Sequence, residues 1–313
     1  MRKIRWVGAV LVVFLFLLIT GGVWADEVNS KKFQAVLKEG VYGILSYDND
    51  IVEPNPIFVP IFIVDANGKL IDPYLKGARF MNNAYRNNKW KIINGRTIFG
   101  KLYNVIFKSY SLQQEEIKKE LYNSLKRNVA DRIEGHGKIY WLKNFKNSLG
   151  VVFIVPINSE AIFERPITVK EEALPREVFS NVLTFLKKEM MNLKTKDLEL
   201  FLIDELHLYN FRLNDKKGII FCYGGRLRQC YVRWENKLIQ KISEREPIDI
   251  DGYIYLVGYV DLDNDGINEL VFEEAFHISD DLNLFTYKIY KYDPSMKLFR
   301  LVYKTKYIPE WGP

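Results

Sequence analysis

The segment 261–269 constrains this chain more than any other, because it places four acidic side chains within nine residues. Acids stand at the first, third, fifth and ninth positions, and Gly266 stands at the sixth. Carboxylates packed so closely in a folded loop repel one another unless a cation lies among them. The runs 256–260 and 270–272 on either side are apolar and rich in β-branched and aromatic residues. The pattern therefore predicts an acidic loop between two β-strands.

Calcium is the cation that this spacing favours, because Ca²⁺ takes about six to eight oxygen ligands in a flexible geometry. Alternate residues of a tight loop can direct their carboxylates to one centre, and Gly266 allows the sharp turn. Magnesium fits less well, because it keeps several waters and uses fewer protein ligands. The predicted ligands are the carboxylates of Asp261, Asp263, Asp265 and Glu269 and the backbone carbonyl of Ile267.

Two alternatives to this site are an EF-hand and an acidic turn that binds no metal. An EF-hand loop requires a Glu at its twelfth position and helices on both sides. Here the twelfth position is Phe272, and the flanking runs are strand-like. The sequence therefore disfavours the EF-hand, while an exposed acidic turn without a metal stays open.

The string from Val260 to Phe272 resembles the calcium loop of the FG-GAP or VCBS repeat, a family found in integrin-type β-propellers and in many exported bacterial proteins. In that family the loop joins two strands of a blade and its acids bind calcium. The resemblance covers about residues 251–303. It implies a calcium-clamped β-hairpin within a β-rich domain, with ligand roles for Asp261, Asp263, Asp265 and Glu269.

The region around this loop also carries a weak internal repeat. Residues 211–221 can be laid over residues 260–272 with a short gap, and in each copy an apolar strand precedes and a Tyr-rich strand follows. Residues 253–260 alternate as a half-buried strand does. The alternation predicts Tyr253, Tyr255, Val257 and Tyr259 on one face and Ile254, Leu256 and Val260 on the other.

The remaining patterns predict an α+β fold that is mostly antiparallel β with two helices. Residues 26–110 contain strand-like runs separated by turn residues. A capping box at Ser111 and Gln114 and an apolar stripe predict a helix over about 112–134. Pro175 and a wide apolar face predict a second helix over about 175–193, packed on a sheet or core.

The first 25 residues have the layout of a secretory signal peptide, with Arg2, Lys3 and Arg5 before an apolar run that ends near Ala25. The alternative is an uncleaved membrane anchor, since the apolar run approaches the length that spans a bilayer. We therefore expect an exported protein whose chain divides into residues 1–25 (signal peptide), 26–170 (an α+β domain) and 171–313 (a helix and a β-repeat domain with the calcium loop).

Export changes the interpretation of charge and of the two cysteines. Without the three basic residues of the signal peptide, the formal net charge falls from +6 to +3. This charge is too weak and too evenly distributed to indicate nucleic-acid binding. Cys222 and Cys230 flank a predicted turn. In an oxidising compartment they can form a disulfide if their Cα atoms approach within about 7 Å; otherwise they are half-buried thiols on adjacent strands.

The sequence contains no nucleophile elbow, HExxH, P-loop or dinucleotide-binding fingerprint, so it predicts no catalytic residue. The leading hypothesis is a non-enzymatic, calcium-stabilised binding or structural protein of the cell envelope, with a protein or glycan partner. The alternative is an exported hydrolase of glycan or peptidoglycan, with calcium in a structural role and an active site built from scattered acids. A third is a membrane-anchored subunit, if the segment 1–25 is not cleaved.

Overall fold

The computed structural model describes residues 37–46, 57–71 and 73, six short strands between residues 89 and 156, and residues 159–192 and 203–311 with gaps at 165, 215, 226, 244–250, 280, 281 and 306. The signal peptide predicted over 1–25 and the helix predicted over about 112–134 lie outside the described residues.

The N-terminal half of the described chain is composed of short strands. They are β1 (Gly40–Ser46), β2 (Ile57–Val64), β3 (Leu70–Ile71), β4 (Lys89–Asn94), β5 (Thr97–Ile98), β6 (Tyr103–Asn104), β7 (Phe107–Ser111), β8 (Lys138–Leu142), β9 (Val152–Pro156), β10 (Ile162–Glu164) and β11 (Ile167–Thr168). A 3₁₀ turn at Glu171–Ala173 leads into helix α1 (Arg176–Asn192).

A second 3₁₀ turn, Ile203–Glu205, leads into longer strands. They are β12 (Leu206–Leu213), β13 (Lys216–Tyr223), β14 (Gln229–Trp234), β15 (Ile239–Lys241), β16 (Gly252–Asp261), β17 (Glu269–Ser279), β18 (Leu282–Asp293), β19 (Leu298–Lys304) and β20 (Ile308–Trp311). The β-dominant class predicted from the sequence is confirmed for the part of the chain that the structure describes.

The strands form three antiparallel sheets. Sheet A has the order β5-β4-β9-β1-β2-β8-β7, with β3 beside β2 and β6 beside β4. Sheet B has the order β10-β16-β17-β18-β19, with β20 beside β18, and sheet C has the order β11-β12-β13-β14-β15. Sheets B and C are thus built around two successive four-stranded meanders, β16–β19 and β12–β15. The two segments aligned in the sequence, 211–221 and 260–272, occupy the first hairpin of each meander.

Three apolar cores stack these layers in the order α1, sheet C, sheet B, sheet A. The core between sheets A and B (the A–B core) includes Tyr42, Ile61, Phe62, Val155, Val257, Val271 and Ile289. The core between sheets B and C (the B–C core) includes Phe211, Ile220, Val232, Trp234, Leu256, Leu270, Phe272 and Phe299. The core between α1 and sheet C includes Val182, Leu186, Met190, Leu208, Phe221 and Tyr231. Sheets B and C are therefore covered on both faces.

A β-bulge in β16 supplies apolar side chains to both faces of sheet B. The pairing of β16 with β17 shifts register between Leu256 and Gly258. Tyr253 packs on the A–B core before the bulge, whereas Tyr259 joins the B–C core and Val260 the A–B core after it. The uninterrupted alternation expected from the sequence, with Tyr259 on the face of Tyr253, is wrong because a bulge reverses the faces of all later residues.

Helix α1 confirms the helix predicted over about 175–193 and its packing on a sheet. The Pro175 carbonyl accepts hydrogen bonds from the backbone N–H groups of Val178 and Phe179 at 2.8 and 3.2 Å, which starts the first turn. Val182 and Leu186 are fully buried against the outer face of sheet C. No helix among the described residues combines the length and the apolar character needed to cross a membrane.

A disulfide joins Cys222 and Cys230, which are paired directly across β13 and β14 with their Cα atoms 4.1 Å apart. The two sulfurs lie in the B–C core. Of the two alternatives that the sequence left open, the structure shows the bridged one.

A buried ionic cluster crosses from sheet C to sheet B. Glu274 on β17 lies 3.3 Å from the Arg228 Nε and 2.5 Å from the Lys288 Nζ, and all three side chains are almost completely buried. The Arg228 guanidinium also stacks 4.7 Å above the Phe276 ring and donates to the Gly225 carbonyl. Burying charges is unfavourable unless each is paired, and here Glu274 links the turn before β14 to β18 of sheet B through its two cationic partners.

We expect Glu274→Gln to lower the free energy of unfolding by about 3 to 5 kcal/mol, because it leaves two buried cations without their carboxylate. Chemical denaturation of the purified chain measures the change. Glu177→Gln is the control, because Glu177 pairs with Lys237 at the exposed surface and its loss leaves the midpoint unchanged. Equal behaviour of the two variants would contradict the role assigned to the buried cluster.

Replacing both cysteines by alanine is expected to lower the free energy of unfolding by about 2 to 3 kcal/mol, because the bridge closes a short loop in the unfolded chain. A reductant should lower the denaturation midpoint of the parent protein and leave that of the double variant unchanged. A parent protein insensitive to reductant in its unfolding would show that the bridge does not contribute to stability.

Candidate metal centre

The acidic loop 262–268 connects β16 to β17 at one end of sheet B, and apolar side chains fix it at both ends. Leu262 is buried in the A–B core, and Ile267 packs against the B–C core. The loop is therefore anchored to both faces of the sheet, while the polar residues between these anchors are free to form a turn.

The backbone turns where the sequence supplies residues that tolerate positive φ. Asn264 has a φ of 56° and Gly266 a φ of 81°, values that are uncommon for residues other than Gly and Asn. The two carboxylate oxygens of Asp261 accept hydrogen bonds from the backbone N–H groups of Asp265 and Gly266 at 3.1 and 3.0 Å. Asp265 accepts one from the N–H of Ile267 at 2.9 Å. Asp261 thus holds the loop closed around its own carboxylate.

The turn brings three of the predicted ligands together. One carboxylate oxygen from each of Asp261, Asp263 and Asp265 lies within 4.8 Å of the others. Asp261 is buried, Asp263 is partly buried and Asp265 is exposed, so the group runs from the protein interior to the solvent. Burial raises the pKa of Asp261, and the hydrogen bonds that its carboxylate accepts from two backbone N–H groups oppose this shift.

Glu269, the fourth predicted carboxylate, lies at the start of β17 and is fully buried. Its Oε2 accepts a hydrogen bond from the Leu262 N–H at 2.8 Å. Its Oε1 lies 3.0 Å from the Lys291 Nζ, although no hydrogen bond of normal geometry reaches that oxygen from the described residues. Burial raises the pKa of Glu269 to about 8, and the ammonium group only partly offsets this effect.

Lys291 on β18 is the component of this centre that the sequence analysis missed. Its Nζ lies 2.7 and 2.6 Å from the two oxygens of Asp263, 2.7 Å from the Asp265 Oδ2 and 3.0 Å from the Glu269 Oε1. Burial disfavours the charged ammonium, but the surrounding carboxylates outweigh burial and raise the pKa of Lys291. A protein cation therefore offsets part of the negative charge of the acidic loop in this structure.

The donor set of this centre suits a hard cation such as calcium. Its side-chain donors are carboxylate oxygens, and the Oε1 of buried Glu269 faces the position that a cation, the Lys291 ammonium, already occupies. Calcium prefers oxygen ligands of this kind in a loop that can adjust. The backbone carbonyl of Ile267 remains a predicted ligand.

Other titratable side chains of sheets B and C lie away from the acidic loop. Glu205 directly precedes β12 in sheet C, and His207 is the second residue of that strand. Burial raises the pKa of Glu205, the Tyr223 hydroxyl opposes the shift, and the charge of Asp251 adds to it. Burial lowers the pKa of His207. His277 on β17 is exposed, with its Nδ1 2.8 Å from the Asn283 Oδ1. None of these residues contributes to the contacts described for the acidic loop.

No family model, curated protein or solved structure matches this chain. The resemblance to the FG-GAP or VCBS calcium loop therefore rests on the residues of the loop and its flanking strands.

Proposed function

We propose that this chain is an exported calcium-binding protein of the cell envelope, with a binding or structural role rather than a catalytic one. The observation that carries the proposal is the convergence of Asp261, Asp263 and Asp265 on one side of a loop that ends at the buried Glu269. These carboxylates would hold the ion, with the Ile267 carbonyl as a further ligand.

Calcium would act by stabilising the β16–β17 hairpin. A bound ion supplies positive charge that offsets the repulsion among the carboxylates, and it links the end of β16 to the start of β17 through Asp261 and Glu269. An ion that binds the folded chain and not the unfolded chain stabilises the fold by mass action. Extracellular modules typically bind calcium with dissociation constants of about 0.1 to 1 mM, which matches an exported protein.

Export is supported by the signal-peptide pattern of residues 1–25 and by the Cys222–Cys230 bridge, since structural disulfides persist in oxidising compartments. The proposed mature chain begins at Asp26 and includes a second helix over about 112–134, supported by its capping box and apolar stripe. The proposed partner is a protein or a glycan that binds the β-rich surface.

Thermal unfolding in calcium and in chelator tests this proposal. With calcium at about 100 times its dissociation constant, we expect the melting temperature of the parent chain to rise by about 5 °C over its value in chelator. Asp263→Ala removes a ligand and should abolish most of this difference. The measured quantity is the calcium-dependent shift, because the variant also loses the ion pair with Lys291.

Asp204→Ala is the matched control, because Asp204 is an exposed acid outside the loop, and it should keep the full shift. A parent chain that does not respond to calcium, or an Asp263→Ala variant that responds as strongly as the parent, would overturn the proposed site.

A further inference from the structure

We propose that Lys291 is a built-in competitor for the calcium site, so that its ammonium and a calcium ion alternate on the same carboxylates. Lys291 would thereby set the calcium concentration at which the site fills. This inference rests on the calcium-binding function proposed above and concerns the regulation of that same site.

The contacts of the ammonium coincide with those that an ion would need. Lys291 contacts both oxygens of Asp263, the Oδ2 of Asp265 and the Oε1 of Glu269. Three of the four predicted carboxylate ligands are therefore engaged by one protein cation. An ion cannot take these oxygens while the ammonium holds them, because the two positive charges would repel each other at contact distance.

Asp261 is the one acid of the loop outside these contacts with Lys291. Its oxygens accept hydrogen bonds from the N–H groups of Asp265 and Gly266, within the loop itself. The loop can thus keep its shape whichever cation is present. When calcium replaces the ammonium, the carboxylates of Asp263, Asp265 and Glu269 change their partner, while the backbone turn held by Asp261 stays in place.

The position of Lys291 allows its side chain to move while its backbone stays fixed. β18 pairs with β17 along its length, and Lys291 lies one step beyond the pair formed by Leu270 and Tyr290. Its side chain is 19% exposed, and that of Asp265 is 40% exposed. The flexible lysine stem can therefore carry the ammonium out to water without displacing either strand, and Asp265 offers an ion a route from solvent.

The competition has two consequences. Without calcium, Lys291 offsets part of the repulsion among the carboxylates and so helps to keep the hairpin formed. With calcium, the ion must displace the ammonium. The apparent affinity for calcium is therefore the intrinsic affinity multiplied by the fraction of calcium-free molecules in which Lys291 has left the carboxylates. Lys291 would thus hold the site in the weak range of extracellular calcium modules rather than in the tight range of intracellular buffers.

Calcium titration calorimetry on the full chain, after removal of metal with chelator, tests this inference. We expect Lys291→Met to bind calcium about tenfold more tightly than the parent, the change that follows if the ammonium leaves the carboxylates free in about a tenth of the calcium-free molecules. The same variant should melt at a lower temperature in chelator and gain more from calcium than the parent does. Lys217→Met is the matched control, because it removes one positive charge from an exposed position in sheet C and should bind calcium within about twofold of the parent.

The outcomes separate this inference from the proposed function. Calcium binding by the parent with equal or higher affinity than by Lys291→Met would overturn the competitor role and leave the calcium site standing. Absence of calcium binding in the parent and in Lys291→Met would overturn the proposed function and this inference with it. If Lys291→Met does not fold in chelator, Lys291→Gln takes its place, because its shorter polar side chain also removes the charge, and the same tightening is expected.

Discussion

Burial of sheet B on both of its faces is the constraint on which much of this structure depends. The sheet lies between the A–B core and the B–C core, so an acid on either face must be neutralised or hydrogen-bonded by protein groups. Glu274, facing sheet C, pairs with Arg228 and Lys288. Glu273, facing sheet A, accepts hydrogen bonds from the hydroxyls of Tyr253 and Tyr255 at 3.1 and 2.7 Å.

The acidic loop meets the same requirement at the end of the sheet. Leu262 and Ile267 anchor it in the two cores, and the turn at Gly266 brings its carboxylates together. Glu269 is held in the interior because it precedes the buried Leu270 and pairs with the buried Val260 of β16. A cation is then needed beside it, and Lys291 supplies one. The centre is thus built for a positive charge, which either the protein or an ion from outside can provide.

Local patterns in the sequence were sufficient for the parts of the fold that depend on neighbouring residues. The acidic loop between strands, helix α1 and the hairpin around Cys222 and Cys230 follow from spacing, turn residues and periodicity. The bulge in β16 does not, because apolar residues on both sides of Gly258 suit either face of a sheet buried on both sides.

Contacts distant in the chain were beyond the reach of sequence patterns. Lys291 meets the loop only because the β17–β18 hairpin pairs Leu270 with Tyr290, and that register is set by a shift between His277 and Ser279 near the turn. If the turn between β17 and β18 were shifted by one residue, a different side chain of β18 would lie beside Glu269. Arg228 reaches Glu274 through the packing of two sheets, a contact that no local pattern indicates.

A crystal structure of the chain grown with calcium, with the ion identified by its anomalous scattering, would show directly which cation the carboxylates hold. We expect one ion bound by Asp261, Asp263, Asp265 and Glu269 at about 2.3 to 2.6 Å, with the Lys291 ammonium withdrawn from these carboxylates toward solvent. An ammonium that stays on Asp263 and Glu269 at saturating calcium, with no ion in the loop, would show that the loop is not a calcium site.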